Sequence, residues 1–207
     1  MTQALVQIRE FLSKKTVGIA GAGGLGSNCA VALARTGVGR LIIADFDVLE
    51  PSNLNRQYYF RQQLGIPKVL ALKENIRRID PFIQVDAFTV KLNPDTITQL
   101  YKDCDVLIEA FDKAEMKQML IETALSHWPD RPLIAASGLA GWGKTEDITI
   151  KRYGNFVLAG DDISETHEWN PPLGPRVSIL AGMQANLALE FLLNGFQFKK
   201  SKIFKLQ

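Results

Sequence analysis

The sequence predicts an α/β fold: a mostly parallel sheet with helices on both faces, followed by a C-terminal antiparallel extension. Three observations predict it. A glycine-rich turn lies between an apolar run and a helical pattern near the N-terminus. Short apolar runs suited to buried strands then alternate with helical stretches up to Gly138. Beyond Gly138 the chain turns to loops, short alternating strands and one long helix.

Taken in order, Gln3 to Lys14 carries apolar residues at Leu5, Ile8, Phe11 and Leu12, the spacing of a helix packed on the domain or on a second subunit. Val17 to Ala20 reads as a buried strand. Leu25 to Thr36 reads as a helix ending on Gly37, and Leu41 to Ala44 as a second buried strand. Pro51 to Gln62 is polar and aperiodic, a loop with a short helical turn. Pro67 suits the first position of a helix whose stripe is Val69, Leu72, Ile76 and Ile79. Ile83 to Phe88 alternates like a strand, and Asn93-Pro94 is a cap followed by a first-turn proline, opening a helix towards Tyr101. Val106 to Ile108 and Leu133 to Ala136 are buried strands flanking a helix from Ala114 to His127. Ile148 to Lys151 and Phe156 to Leu158 read as antiparallel strands. Pro175 to Leu193 reads as a helix with Ile179, Met183, Leu187 and Phe191 as its stripe, and Lys202 to Leu206 as an edge strand.

The glycine turn organises the function. Gly21, Gly23 and Gly26 form G-x-G-x-x-G, with Gly24 beside them, after a strand and at the start of a helix. That context makes the core Rossmann-like. Glycines let the backbone turn sharply and approach phosphate, while the free N–H groups of the new helix face the anion. Asp45, 19 residues past Gly26 and at the end of the second strand, stands where an acid can hydrogen-bond ribose hydroxyls. Arg56 and Lys68 follow, and a dehydrogenase has no evident need of two cations there. An enzyme handling a triphosphate does. Asp112 falls just past a third buried strand, at the sheet edge where ligands of such folds bind.

Composition narrows the field. Twenty-four basic against 22 acidic residues leave a net charge of +2, so no bulk field favours nucleic acid or a membrane surface. The two cysteines, Cys29 and Cys104, form neither a C-x-x-C nor a disulfide framework, so a four-thiolate zinc site is excluded. No apolar run approaches the roughly 18 residues of a membrane span, so a cytoplasmic protein is expected. Length predicts one domain over 1–207, or one domain with a small appendage, and the change of pattern after Gly138 divides it into a nucleotide-binding core at 1–138 and an extension at 139–207.

The motifs GAGGLGS, ADFDVLEPSNLNRQ, GIPK and IEAFD, with NPPLGPRV near the C-terminus, resemble the ThiF/MoeB/HesA family, bacterial relatives of ubiquitin-activating enzymes. The likeness spans nearly the whole chain and looks closest to short ThiF-type enzymes that adenylate a ubiquitin-like sulfur carrier. What it implies is ATP and Mg²⁺ as ligands, without zinc. Gly21, Gly23, Gly24 and Gly26 would underlie the nucleotide with Asp47 beside them, Asp45 would hold the ribose, Asn53, Arg56 and Lys68 would reach the phosphates, and Asp112 would hold Mg²⁺. Arg56, Lys68 and Asp112 would carry catalysis. Ser27 and Asn28, in the first helical turn, are further candidates. The implied reaction adenylates the C-terminal glycine of a diglycine-ended, ThiS-like carrier for thiamine biosynthesis, in a homodimer. Rival readings are another carboxyl substrate (a molybdopterin carrier, a tRNA-bound amino acid or a peptide), an NAD-dependent oxidoreductase, and a non-catalytic carrier-binding module.

The sequence departs from the family pattern at two places. Lys113 stands where relatives commonly have Asn after the metal-binding Asp. Only Arg9 is available for the N-terminal arginine that some relatives insert into the partner's site, and a solvated helix face is an equal reading. Residues 160–176 contain no cysteine, so the chemistry is expected to stop at the acyl-adenylate. Cys29 and Cys104 read as small core hydrophobes. Trp142 and Trp169 are candidates for a tail groove or for local packing.

Overall fold

Val17, Ile19 and Ala20 have no exposed surface in β1 (Thr16–Ala20), as an unbroken apolar run requires. The computed structural model describes residues 2–198 and sets β1 inside a seven-stranded sheet. The other strands are β2 (Arg40–Ala44), β3 (Gln84–Phe88), β4 (Val106–Glu109), β5 (Leu133–Ser137), β6 (Thr149–Tyr153) and β7 (Phe156–Gly160), in the order β3-β2-β1-β4-β5-β7-β6. Because β2 and β3 lie on one side of β1 and β4 and β5 on the other, all parallel, the winding reverses between β1 and β4. A crevice therefore opens beyond the carboxyl ends of those strands.

Side chains alternate between two cores. Val17, Ile19, Ile43 and Ile108 pack with α2 (Gly24–Thr36), α3 (Lys68–Ile79) and α6 (Gly174–Leu192). Ile42, Leu107 and Leu133 face the layer of α4 (Pro94–Leu100) and α5 (Ala114–His127). At the N-terminus, α1 (Gln3–Leu12) buries Leu12 and packs Ile8, while Leu5 stays exposed. Gly37 closes α2 at φ 94°, a left-handed conformation that glycine adopts without a Cβ penalty. Asn93 caps α4 by accepting from the Thr96 N–H at 2.9 Å.

The expected antiparallel extension is present after Gly138: β6 runs antiparallel to β7, and β7 joins β5 in parallel. Two expectations need correction. Pro67 precedes α3 rather than opening it, because its ψ of 131° is extended. In α6 the buried face runs through Val177, Leu180, Gln184, Leu187 and Leu192, leaving the expected Ile179 exposed. The expected edge strand at 202–206 lies outside the described residues. No helix among the described residues is long and apolar enough to cross a membrane.

Candidate functional site

Register sets the site. Ala20 is aligned with Ala44 and with Glu109, so the chain leaves β1, β2 and β4 at one level. Gly21 N–H donates to Ala44 O at 2.9 Å, and Ala110 N–H donates to Ala20 O at 2.9 Å. Gly21 has φ 102°, and a Cβ there would stand 2.7 Å from the Ala110 carbonyl oxygen. Only glycine lets the turn cross the end of β4 so closely. A cavity of about 510 Å³ opens above this level. Gly21, Gly23, Gly24, Asp45, Asp47, Asn53, Arg56, Lys68 and Asp112 all line it.

Gly26 lies outside that lining. A Cβ on it would lie 1.9 Å from the Gly21 carbonyl oxygen, so its place is in the packing of α2 against the turn. Ser27 and Asn28, the further candidates in the first helical turn, do not line the cavity either. Ser27 is fully buried, donating to Gly23 O at 2.6 Å and accepting from Tyr58 N–H at 2.9 Å. Asn28 donates to Arg56 O at 2.9 Å. These bonds tie the Arg56–Tyr58 segment to the first turn of α2.

The loop between β2 and α3 folds back on itself. Asn53 accepts from Glu50 N–H at 3.0 Å, and its carbonyl accepts from Gln57 N–H at 3.0 Å. An antiparallel bridge joins Val48 and Pro67, and Lys68 N–H donates to Asp47 O at 2.9 Å. Lys68 is thereby returned to the cavity, its Nζ 2.7 Å from the Asp47 carboxylate. The Asp45 carboxylate accepts from Ala22 N–H at 2.6 Å and from Asp47 N–H at 2.8 Å. Burial raises its pKa, opposed by those two hydrogen bonds and by the Lys68 charge.

Arg56 donates to Ser52 O at 3.1 Å and to Asn55 Oδ1 at 2.8 Å. Burial lowers its pKa, while the charge of Asp112 across the cavity raises it. Asp112 is exposed and does not cap α5: the N-cap position belongs to Lys113, whose side chain makes no cap bond. Lys113 lines the cavity beside it. Behind them, the buried Glu109 accepts from Phe111 N–H at 2.6 Å and pairs with Lys117 at 2.8 Å, bracing the turn that presents Asp112.

Sequence reasoning missed an apolar wall made by Phe46, Val90, Leu92, Phe111 and Met116. It also missed Gln57, which lines the cavity. The wall comes from separate segments and leaves no periodic signal, whereas Gln57 stands openly in the NLNRQ motif. Arg9 is tied elsewhere, paired with Asp80 at 2.6 Å and donating to Arg35 O at 3.1 Å, beside the ends of α2 and α3 far from the cavity. Trp142 and Trp169 are 69% and 81% exposed and do not line the cavity. They stand on segments joined where Gly141 N–H donates to Pro171 O.

The ThiF family profile matches residues 4–206. The chain belongs to the ThiF family. This ThiF-family chain is 36% identical to the tRNA threonylcarbamoyladenosine dehydratase of Bacillus subtilis over 160 residues, 76% of this chain and 58% of that protein. It is 31% identical to the adenylyltransferase and sulfurtransferase MOCS3 of Xenopus laevis over 149 residues, 72% of this chain and 32% of that protein. A sulfur carrier protein adenylyltransferase of Thermus thermophilus is 30% identical over 118 residues, 56% of this chain and 44% of that protein. The chain thus spans less than two thirds of the length of these relatives. Among solved structures, the E. coli tRNA N6-threonylcarbamoyladenosine dehydratase TcdA in complex with AMP matches with a TM-score of 0.83 at 20% identity, covering 91% of this chain and 90% of that one. That likeness shows the shared fold.

Proposed function

We propose that this protein transfers the adenylyl group of ATP to a carboxylate, releasing pyrophosphate. The observation that carries the reading is the convergence of Arg56, Lys68 and Asp112 over one glycine turn, in a cavity sized for a nucleotide. Adenine would lie on the apolar wall of Val90, Leu92 and Met116. Asp45 retains lone pairs beyond its two backbone bonds and would accept from the ribose hydroxyls. Asn53, Arg56 and Lys68 would hold the phosphates, Lys68 exchanging Asp47 for a phosphoryl oxygen.

An exposed carboxylate such as that of Asp112 fits Mg²⁺, an ion that keeps several waters and takes further ligands from substrate phosphates. Asp112 would hold it, and the ion supplies charge neutralisation on the phosphates. The acceptor carboxylate is already ionised near neutral pH, so no general base is required. Its oxygen bonds to the α-phosphorus as the bond to the bridging oxygen of pyrophosphate breaks, and the departing oxygen keeps the electron pair. Arg56 and Lys68 stabilise that charge, leaving alignment and electrostatics as the protein's contribution.

For the acceptor we propose the C-terminal glycine of a ubiquitin-like, ThiS-like sulfur carrier, with thiamine biosynthesis as the setting and a homodimer as the assembly. Leu139, Thr166 and Pro172 open the cavity towards residues 139–173, which would face the carrier. Exposed Glu165 and Glu168 in this region disfavour a polyanion and suit a protein tail. A second reading is favoured by the Bacillus subtilis relative: the carboxylate of threonylcarbamoyladenosine in tRNA. Acceptor-stimulated ATP–pyrophosphate exchange tests both. Stimulation by a diglycine-ended carrier but not by its truncated form supports the first, and stimulation only by modified tRNA supports the second.

A further inference from the structure

Gln57 is 8% exposed and lines the cavity, yet its Oε1 is buried without a hydrogen-bond partner. A buried amide oxygen with no donor is unfavourable and calls for an explanation. Of the three buried side-chain polar atoms without a partner among the described residues, Gln57 Oε1, Arg176 Nε and Gln184 Oε1, only that of Gln57 belongs to a residue lining the cavity. The backbone gives Gln57 little freedom to escape. Its N–H donates to Asn53 O at 3.0 Å and its carbonyl accepts from Tyr59 N–H at 2.8 Å. The residues on either side are tied to α2 through Asn28 and Ser27, and the Tyr59 hydroxyl donates to Ala22 O at 2.7 Å. The segment therefore holds the amide over the glycine turn, with Nε2 3.9 Å from where a side chain on Gly23 would begin.

We propose that Gln57 is a nucleotide-binding residue whose Nε2 donates to an oxygen of the phosphate nearest the ribose. The inference rests on the adenylyl-transfer reading and deepens it. Asp45, placed at the ribose, accepts from Ala22 N–H, so ribose and Gly23 are neighbours through one residue. The phosphate leaving the ribose must then pass over Gly23, next to the Gln57 amide. A donor held there is neutral, so it follows charge building on the attacked phosphoryl group while Arg56 and Lys68 neutralise the distal phosphates. The hydrogen bond to an anion offsets the unpaired oxygen at the other end of the amide.

Calorimetric titration of adenosine and AMP against the full chain and its Gln57→Met variant tests this. Met matches the shape of Gln while removing both the donor and the orphaned oxygen. Expected is a loss of about tenfold in AMP affinity, adenosine binding unchanged, and a melting temperature equal to or above that of the parent. Gln57→Glu, which sets a carboxylate against the phosphate, should lose AMP affinity further and again spare adenosine. Equal losses for adenosine and AMP, or no loss for either, overturn the proposal. Absence of AMP binding by the unaltered chain overturns the nucleotide reading and this inference with it, before any variant is made.

Discussion

The Lys68 ammonium sits 2.7 Å from the Asp47 carboxylate, with the lysine side chain 8% exposed and the aspartate 47% exposed. The buried partner is the cation, and Asp47 keeps it neutralised in the absence of phosphate. Asp47→Asn should therefore destabilise the ligand-free protein by about 1–2 kcal/mol, the cost of weakening a charge-assisted bond to a buried group. Saturating ATP should remove most of that difference, because phosphate oxygens replace the lost carboxylate. Thermal denaturation with and without ATP reads both effects. An equal deficit in the two conditions would show that Lys68 does not change partners.

Arg56→Ala and Lys68→Ala should each lower the rate of acceptor-dependent pyrophosphate exchange by about 100- to 1,000-fold, as expected for removal of one preorganised charge at a phosphoryl-transfer site. Circular dichroism should show the fold retained in both. A loss confined to the KM for ATP would assign these side chains to ground-state binding.

Gly26→Ala should be among the most damaging single-methyl changes in the chain. Its Cβ would meet the Gly21 carbonyl oxygen at 1.9 Å and the Ala110 Cβ at 3.3 Å. Backbone on one side cannot rotate away, so the cost should reach about 3 kcal/mol, visible in urea denaturation. Gly65, where an added Cβ meets nothing within 4 Å, provides the contrast, its φ of 81° being the only obstacle to Ala.

Much of this arrangement was legible in the sequence. The glycine turn, the two cores and the helix boundaries of α5 follow from local patterns, and the family motifs point to the residues that line the cavity. Less legible was anything set by contact between distant segments. In α6 nearly every turn carries apolar residues, so periodicity could not choose the face, and Val177 and Leu180 are buried where Ile179 was expected. The bond from the Tyr58 N–H to Ser27 and the Lys68–Asp47 pair join residues 31 and 21 apart and depend on how the loop folds back. The Arg9–Asp80 pair joins residues 71 apart, so the local pattern around Arg9 carries no sign of it.

Neither cysteine should take part in the reaction. Cys29 is fully buried with its thiol pKa pushed up by burial, and burial also pushes Cys104 up to about 11. Both stay protonated near neutral pH, and the thiolate is the nucleophilic form. The Cys29→Ala, Cys104→Ala double variant should retain pyrophosphate exchange, and mass spectrometry of the complete reaction should find no thioester on the protein. Loss of activity in a folded double variant would assign a covalent step to one of them.

Acceptor-dependent ATP–pyrophosphate exchange in the parent and in Asp112→Ala tests the central claim most directly. Asp112 is exposed and lines the cavity, so the variant should fold and melt as the parent does. The account predicts Mg²⁺-dependent exchange in the parent and none above background in the variant. Undiminished exchange in Asp112→Ala, or no exchange by the parent with any carboxylate acceptor, would contradict it.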